Sequence, residues 1–360
     1  MPLIWAAISS HGFGHAAQVV PVLNALGRKI SGLRAILRTT VPASFFQNRL
    51  AIPWELSTIQ QDVGCIQQGP LTIDVDATWR EHARFHATWN DRIQAEIEAM
   101  SQAHPDLVLA DTPYLAIAAG AEAGLRTVGL VSFTWDLVLS AFSAPPDIDG
   151  HTLIRAIRQA YARADLALRI TPSPTMDIFG QFIDIGPIYE PSPSARDALS
   201  ARLGLSPGER TVLIGFGGIP LISLPMAELD ALDGYRFLFD GPVPPDSTRI
   251  VSTHSLPFSF KTLLASVDII MSKPGYGTLV EAVGLHTPLV YVRRYNFADE
   301  QPLVDYLHRY GRGVELAGQD FAAGRWEPAL STVKDLPAPS IPPPTASGAE
   351  DAADVLATYL

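Results

Sequence analysis

Short runs of aliphatic and β-branched residues alternate along the chain with longer segments in which apolar positions recur at helical spacing. That alternation predicts βα units, parallel sheets and an α/β protein. In the first half the runs place strands at Leu3–Ser9, Arg34–Thr40, Trp54–Ile59, Leu107–Asp111, Thr127–Phe133 and Leu166–Thr171. The pattern starts again at Thr211–Gly217 and continues through Arg236–Asp240, Arg249–Ser252, Asp268–Ser272 and Pro288–Arg293, which predicts two sheets rather than one. Between them FIDIGPIYEPSPSA, Phe182 to Ala195, reads as an extended connector without helix. The expected organisation is therefore a first domain over residues 1–187, a linker over 188–195 and a second domain over 196–335. The proline-rich run 336–347 is held extended by its fixed φ angles, and the helical pattern over 348–360 is expected to return to the first domain. Arg80–Ala103 reads as one helix; His82 and His86 share a face of it at a spacing that suits metal or, with no third ligand nearby, a partly exposed surface.

Composition narrows the class. The 360 residues exceed what one core usually holds, and 47% hydrophobic with 18% charged residues is globular. One cysteine, Cys65, excludes an intrachain disulfide and suits a reducing compartment. MPLIWAAISS lacks a basic leader and no run reaches the roughly 18 apolar residues of a membrane span, so a cytoplasmic protein is expected. A net charge of −11 gives no footprint for nucleic acid and argues against electrostatic anchoring to a membrane. An apolar patch near Trp79 to Trp89 leaves peripheral membrane contact open.

Candidate chemistry collects at strand ends. In SSHGFGHAAQVVPVL, Ser9 to Leu23, a strand runs into a turn and a helix that starts near His15 or Ala16. Gly12 and Gly14 permit close approach of a ligand and leave the helix N-terminus uncovered. His15 then faces the crevice beyond the sheet, where the positive helix end is expected to keep it neutral and ready as a general base; the alternative is a helix cap. Asp111 ends another strand at the same edge, either orienting His15 or capping the following helix.

The second half carries VDIIMSKPGYGTLVEAVGLHTPLVYVRR, Val267 to Arg294. Here a buried strand ends at Ser272, Gly275 and Gly277 shape a loop, and Thr278 opens a helix that includes Glu281. Backbone N–H groups at such a helix start suit a diphosphate, Lys273 either adds charge or is solvated, and Glu281 can accept from a sugar diol. GFGGIP, Gly215 to Pro220, brings a second glycine turn, Gly217 and Gly218, to the same edge.

HGFGHAAQVV and SKPGYGTLVEAVGLHTPLVYVRRYNFADEQPL together resemble the GT-B glycosyltransferases, a family that includes the UDP-dependent transferases and the peptidoglycan undecaprenol N-acetylglucosaminyltransferase. They are more similar still to the glycosyltransferase-like N-terminal domain that precedes the kinase in L-arabinokinases. The resemblance covers most of the chain. It implies two Rossmann-like, doubly wound parallel-sheet domains facing a cleft, with His15 as base and Asp111 as its orienting carboxylate. Gly275, Gly277 and Thr278 match the diphosphate loop and Glu281 the carboxylate on the ribose, and Ser272, Lys273 and Tyr276 stand in the same motif. Glu300 and Gln301 match an acid-Gln pair on hydroxyls of the donor sugar, with Asp299 the alternative if the register shifts by one. The tryptophan and histidine that begin the plant signature are not recognisable before Ser272, so base stacking falls to residues near Thr253–Phe258 or is lost.

The implied reaction is an inverting, metal-independent transfer from a nucleotide-diphosphate sugar, UDP-sugar favoured, to a small-molecule or lipid-linked hydroxyl. No further cofactor is implied. A nucleotide-sugar hydrolase or epimerase on the same fold, and a non-catalytic nucleotide-sugar-binding module, are the alternatives.

Overall fold

The computed structural model describes residues 1–217, 221 and 224–360. Its strands are β1 Leu3–Ile8, β2 Arg34–Arg38, β3 Trp54–Ser57, β4 Leu107–Asp111, β5 Thr127–Val131, β6 Leu166–Ile170 and β7 Phe182–Ile185 in the first half. The second half adds β8 Arg210–Ile214, β9 Tyr235–Phe239, β10 Ile250–Ser252, β11 Ile269–Ser272, β12 Leu289–Tyr291 and β13 Gly313–Glu315. They form a seven-stranded sheet in the order β3-β2-β1-β4-β5-β6-β7 and a six-stranded sheet in the order β10-β9-β8-β11-β12-β13. All these pairings are parallel. In each sheet the order reverses once, between β1 and β4 and between β8 and β11, and such a reversal opens a crevice at the carboxyl ends of the strands.

Parallel sheets are covered on both faces, which is why their strands read as unbroken apolar runs. In β1 the side chains of Trp5 and Ala7 enter one core cluster and those of Ile4, Ala6 and Ile8 the other. The second sheet is sandwiched in the same way, Ile214 and Met271 on one face and Leu213 and Ile270 on the other.

Two strands escape the sequence reading. β7 lies inside the stretch read as connector; Phe182 and Ile183 are exposed, so no buried periodicity marks it, and its pairing with β6 defines it. β13, GVE, is too short to carry a period and is defined by its pairing with β12. The segment expected as one helix is two, Val75–Ala87 and Trp89–Ala103, broken at Thr88. The Thr88 hydroxyl there accepts from the Arg92 guanidinium at 3.0 Å. The apolar patch expected near Trp79–Trp89 is core instead: Trp79 and Phe85 are buried. Among the described residues no helix is long and apolar enough to cross a membrane.

The chain's last helix, Gly348–Leu356, lies on the helix Gly14–Lys29 beside the first sheet and sends Ala352, Ala353 and Leu356 into its core. Lys29 meets Asp354 at 2.8 Å, and the Gly186 N–H donates to Asp351 at 2.9 Å. A Cβ on Gly348 would overlap the Gly186 carbonyl oxygen, so this docking requires glycine. Gly348→Ala is expected to cost about 1–3 kcal/mol through overpacking. The check is the thermal midpoint, which should drop by several degrees, about 2–4 °C per kcal/mol in domains of this size.

Candidate functional site

The first crevice is built by the loops after β1 and β4. Gly12 has φ +80°, a left-handed conformation that suits glycine, and a Cβ there would approach the carbonyl of Gly217 in the second half to 3.9 Å. Gly14, with open space around it, starts the helix one or two residues earlier than the sequence suggests. His15 follows, 6% exposed, with Nδ1 2.8 Å from Oδ1 of Asp111, which is wholly buried at the end of β4. Facing a carboxylate, Nδ1 donates, so Nε2 carries the free lone pair. Thr112 is left-handed at φ +71°, rare for a β-branched residue; its hydroxyl donates to Asp111 Oδ1 at 3.2 Å and Tyr161 donates to its carbonyl at 2.6 Å.

The electrostatics differ from expectation. Burial pulls the His15 pKa down, but the charge and hydrogen bond of Asp111 outweigh it and the net shift is upward. His15 is thus a stronger base than the helix N-terminus alone would make it, because a contact ion partner outweighs partial charges on backbone N–H groups. His11 is the opposite case. Its Nδ1 accepts from the Cys65 N–H at 3.2 Å, and burial together with nearby positive groups drives it down to about 3, so it stays neutral.

The second crevice is built by the loops after β8 and β11. Gly217 has φ +77°, and the Lys273 ammonium lies 4.0 Å from where a Gly217 Cβ would stand and 3.2 Å from the corresponding position at Gly275. A Cβ at Gly275 would press on the ammonium, whereas one at Gly217 would only touch it. Burial, then Arg294, depresses Lys273 to about 8, and among the described residues no carboxylate pairs with it. The helix here runs Tyr276–Gly284, two residues longer at its start than expected, with Gly275 as N-cap and no side-chain cap. Its first N–H groups therefore lack intrahelical partners, and Gly277 and half-buried Thr278 lie on this turn beside the buried end of β11 at Ser272. Gly218 lies outside the described residues.

Several candidates change standing. Tyr276 is spent on holding the two halves together: its hydroxyl donates to the Thr171 carbonyl at 2.8 Å and accepts from the Ile188 N–H at 3.0 Å. Glu300 is likewise committed. Fully buried, it accepts from the backbone N–H groups of Arg294 and Tyr295, both at 3.1 Å, and from the Arg294 guanidinium at 2.6 Å. It fixes a loop in which Tyr295 is left-handed, with both its oxygens engaged there. Gln301 is exposed and bridges Arg293 and Asp305. Asp299, the alternative in that register, is 7% exposed with an unpartnered Oδ1, and burial lifts it to about 6. Glu281 is 6% exposed, also has an unpartnered oxygen, and is lifted by burial to about 7. His82 donates from Nε2 to the Gly64 carbonyl at 2.9 Å and His86 stacks on Trp89, so the two imidazoles do not act together.

Asp62 went unread in the sequence. It lies beyond the end of β3, 4% exposed, and accepts from the Trp135 indole at 2.7 Å; its charge is felt at both His15 and Asp111. No strand-end signal marks it, because it stands five residues beyond Ser57, the end of β3, whereas Asp111 is the last residue of β4. Two surface hollows, about 440 Å³ beside Arg158 and about 650 Å³ beside Trp89, lie on outer helices; His86 lines the second, and none of the strand-end groups lines either.

No family model matches the sequence. An L-arabinokinase of Arabidopsis thaliana is 26% identical over 337 residues, which is 91% of this chain and 32% of the relative. The chain thus spans about a third of that enzyme's length. Solved structures match along the whole chain. The glycotransferase of kitacinnamycin has a TM-score of 0.69 at 13% identity, covering 100% of this chain and 99% of the other. A UDP-glucosyltransferase from Polygonum tinctorium capable of glucosylating indoxyl has 0.64 at 13%, covering 99% and 98%. Phytolacca americana UGT2, complexed with UDP-2-fluoro-glucose and pterostilbene, has 0.62 at 14%, covering 100% and 94%. The chain has the GT-B fold of these glycosyltransferases.

Proposed function

We propose that this protein transfers a sugar from a nucleotide-diphosphate donor, a UDP-sugar in the first instance, to an acceptor hydroxyl, with His15 as general base. The observation that carries the reading is one juxtaposition. The His15–Asp111 pair stands at the crevice of the first sheet, and the Lys273, Gly217 and Gly275 cradle stands at that of the second, with Gly12 and Gly217 close enough to join them. Nε2 of His15 takes the acceptor proton as the oxygen attacks the anomeric carbon, and Asp111 stabilises the imidazolium. One displacement inverts that centre.

The departing diphosphate is met by the Lys273 ammonium and the N–H groups around Gly275 to Thr278, a preorganised positive site that works without metal. Glu281 accepts from the ribose hydroxyls. Asp299, rather than Glu300, takes hydroxyls of the donor sugar, with Gln301 at the rim. UDP is favoured because the solved relatives of this fold include one holding UDP-2-fluoro-glucose. Hexosyl and N-acetylhexosaminyl donors both fit this reading. Binding without turnover is the second reading, favoured by the match to only a third of an enzyme named for kinase chemistry.

Thermal unfolding with UDP, dTDP, GDP and ADP tests the donor site. A nucleotide at about 100 times its Kd adds about 2.7 kcal/mol, a shift of several degrees. One member of the panel should give that shift, and Lys273→Ala should reduce its affinity about tenfold or more, since a charge-assisted contact contributes about 1.5–3 kcal/mol. Absence of a shift with all four nucleotides overturns the proposal.

A further inference from the structure

The loop after β4 turns at a residue poorly suited to turning. Thr112 follows Asp111, the last residue of β4, and takes φ +71°; it is the one β-branched residue with a positive φ among those described. A branched Cβ is badly tolerated in the left-handed region, and Pro113 disfavours it further, because the residue before a proline is driven toward extended backbone. The loops after β1 and β8 also turn left-handed, but there the angle falls on Gly12 and Gly217, which adopt it freely. A chain that needed only the turn after β4 would be served best by glycine. The strain points to a use for the threonine side chain.

That use is visible in the contacts. Successive side chains of an extended strand leave from opposite faces, so a straight continuation of β4 would carry the Thr112 hydroxyl away from Asp111. The left-handed turn brings it back: Oγ1 donates to Oδ1 of Asp111 at 3.2 Å and stands 3.3 Å from Nδ1 of His15. His15 donates to that same oxygen at 2.8 Å, while Oδ2 of Asp111 has no partner. One carboxylate oxygen thus takes both donors. The turn is clamped from behind by Tyr161, wholly buried at the end of the helix Gly150–Tyr161. Its hydroxyl donates to the Thr112 carbonyl at 2.6 Å and accepts from the Trp135 N–H at 3.3 Å, which ties the loops after β4 and β5 together.

We infer that Thr112 is a positioning residue for His15, held in its left-handed turn by Tyr161 and fixing the Asp111 carboxylate so that Nε2 of His15 keeps one direction toward the acceptor hydroxyl. This rests on the transferase reading. A carboxylate held by one donor swings about its Cβ–Cγ bond and lets the imidazole rock with it. A second donor on the same oxygen stops both motions. Thr112 neither gains nor loses a proton in the step, which leaves the proton transfer to His15.

The test compares Thr112→Val, which keeps the branched shape without the hydroxyl, with Thr112→Ser, which keeps the hydroxyl. Nucleoside diphosphate release by the full chain is measured from UDP-glucose, UDP-N-acetylglucosamine, dTDP-glucose and GDP-mannose, with D-glucose, glycerol and p-nitrophenol as acceptors. Thr112→Val should lower kcat and kcat/KM together by about 10–100-fold, as for groups that orient a metal-bound imidazole, with the nucleotide Kd unchanged. Thr112→Ser should restore most of the rate. In an Asp111→Asn background the valine substitution should have little further effect, because the hydroxyl acts through that carboxylate, whereas a general loss of packing would add. A second measurement needs no substrate. The His15 Nδ1–H proton resonance, identified by its absence in His15→Ala, should exchange with solvent about tenfold faster in Thr112→Val, the worth of one hydrogen bond, and at close to the wild-type rate in Thr112→Ser. Wild-type kcat in Thr112→Val, a loss that adds in full to that of Asp111→Asn, or unchanged exchange overturns the inference. Where no nucleotide shifts the thermal midpoint, or no nucleotide sugar is turned over, the transferase reading falls by itself and the exchange rate alone decides whether Thr112 holds His15.

Discussion

His15→Ala is expected to lower kcat about 10²–10⁴-fold, the usual worth of a positioned general base, while the Kd for the nucleotide stays within about twofold. The separation follows from placement: His15 belongs to the crevice of the first sheet, whereas Lys273, Glu281 and the helix start at Tyr276 belong to the second. Asp111→Asn gives the more specific signature. Asp111 is the group that raises the His15 pKa against the pull of burial. Without its charge the His15 pKa falls. The base works unprotonated, so the ascending limb of kcat/KM against pH should move to lower pH in Asp111→Asn while the plateau falls. Wild-type kcat in His15→Ala, or an ascending limb that stays in place in Asp111→Asn, would remove the pair from the mechanism.

Glu281→Gln should show an opposite pair of effects, a more stable free protein and a weaker complex. The folded state lifts the Glu281 pKa from 4.5 to about 7 because burial penalises the carboxylate. A raised folded pKa means that the native state binds the proton more tightly than the unfolded chain. Its stabilising effect is full below about pH 4.5 and is lost as pH rises through 7. At about 1.36 kcal/mol per pKa unit the loss is on the order of 3 kcal/mol by pH 8. Glutamine carries no charge to bury, so Glu281→Gln should gain about 1–3 kcal/mol at pH 8 and nothing at pH 4–5. Asp62, Asp111 and Asp299 titrate in both proteins and cancel in the difference. Two hydrogen bonds to the ribose diol weaken at the same time, and nucleotide affinity should fall about 10–100-fold. Denaturant titrations at both pH values with calorimetric Kd values measure the two effects. A variant with unchanged stability at pH 8 and unchanged affinity would show that Glu281 is neither penalised nor used.

Much of this site is written in local sequence. LIWAAI is apolar at every position because β1 is covered on both faces, and the glycines of SSHGFGH and SKPGYG mark turns whose backbone must come close to something. Parallel strands put their carboxyl ends on one edge, so His15 and Asp111 could be paired from strand ends that lie 96 residues apart. β7 and β13 were hidden because they are edge strands, too short or too exposed to show a period, and hydrogen bonds to a neighbouring strand are their only definition.

The sequence by itself therefore determined the α/β class, the two sheets and the turns that bear chemistry, because backbone preference and hydrophobic period are properties of near neighbours. Tertiary structure decided which of the adjacent acids Asp299 and Glu300 keeps an unpartnered oxygen, since Arg294 and two backbone N–H groups engage both oxygens of the second. It also decided that Tyr276 ties the halves together, that His15 is made more basic rather than less, that Asp62 meets the Trp135 indole and that Phe297 packs on Phe133. Each of those outcomes depends on partners supplied by distant segments, and the availability, charge and surroundings of a side chain are set by what folding brings against it.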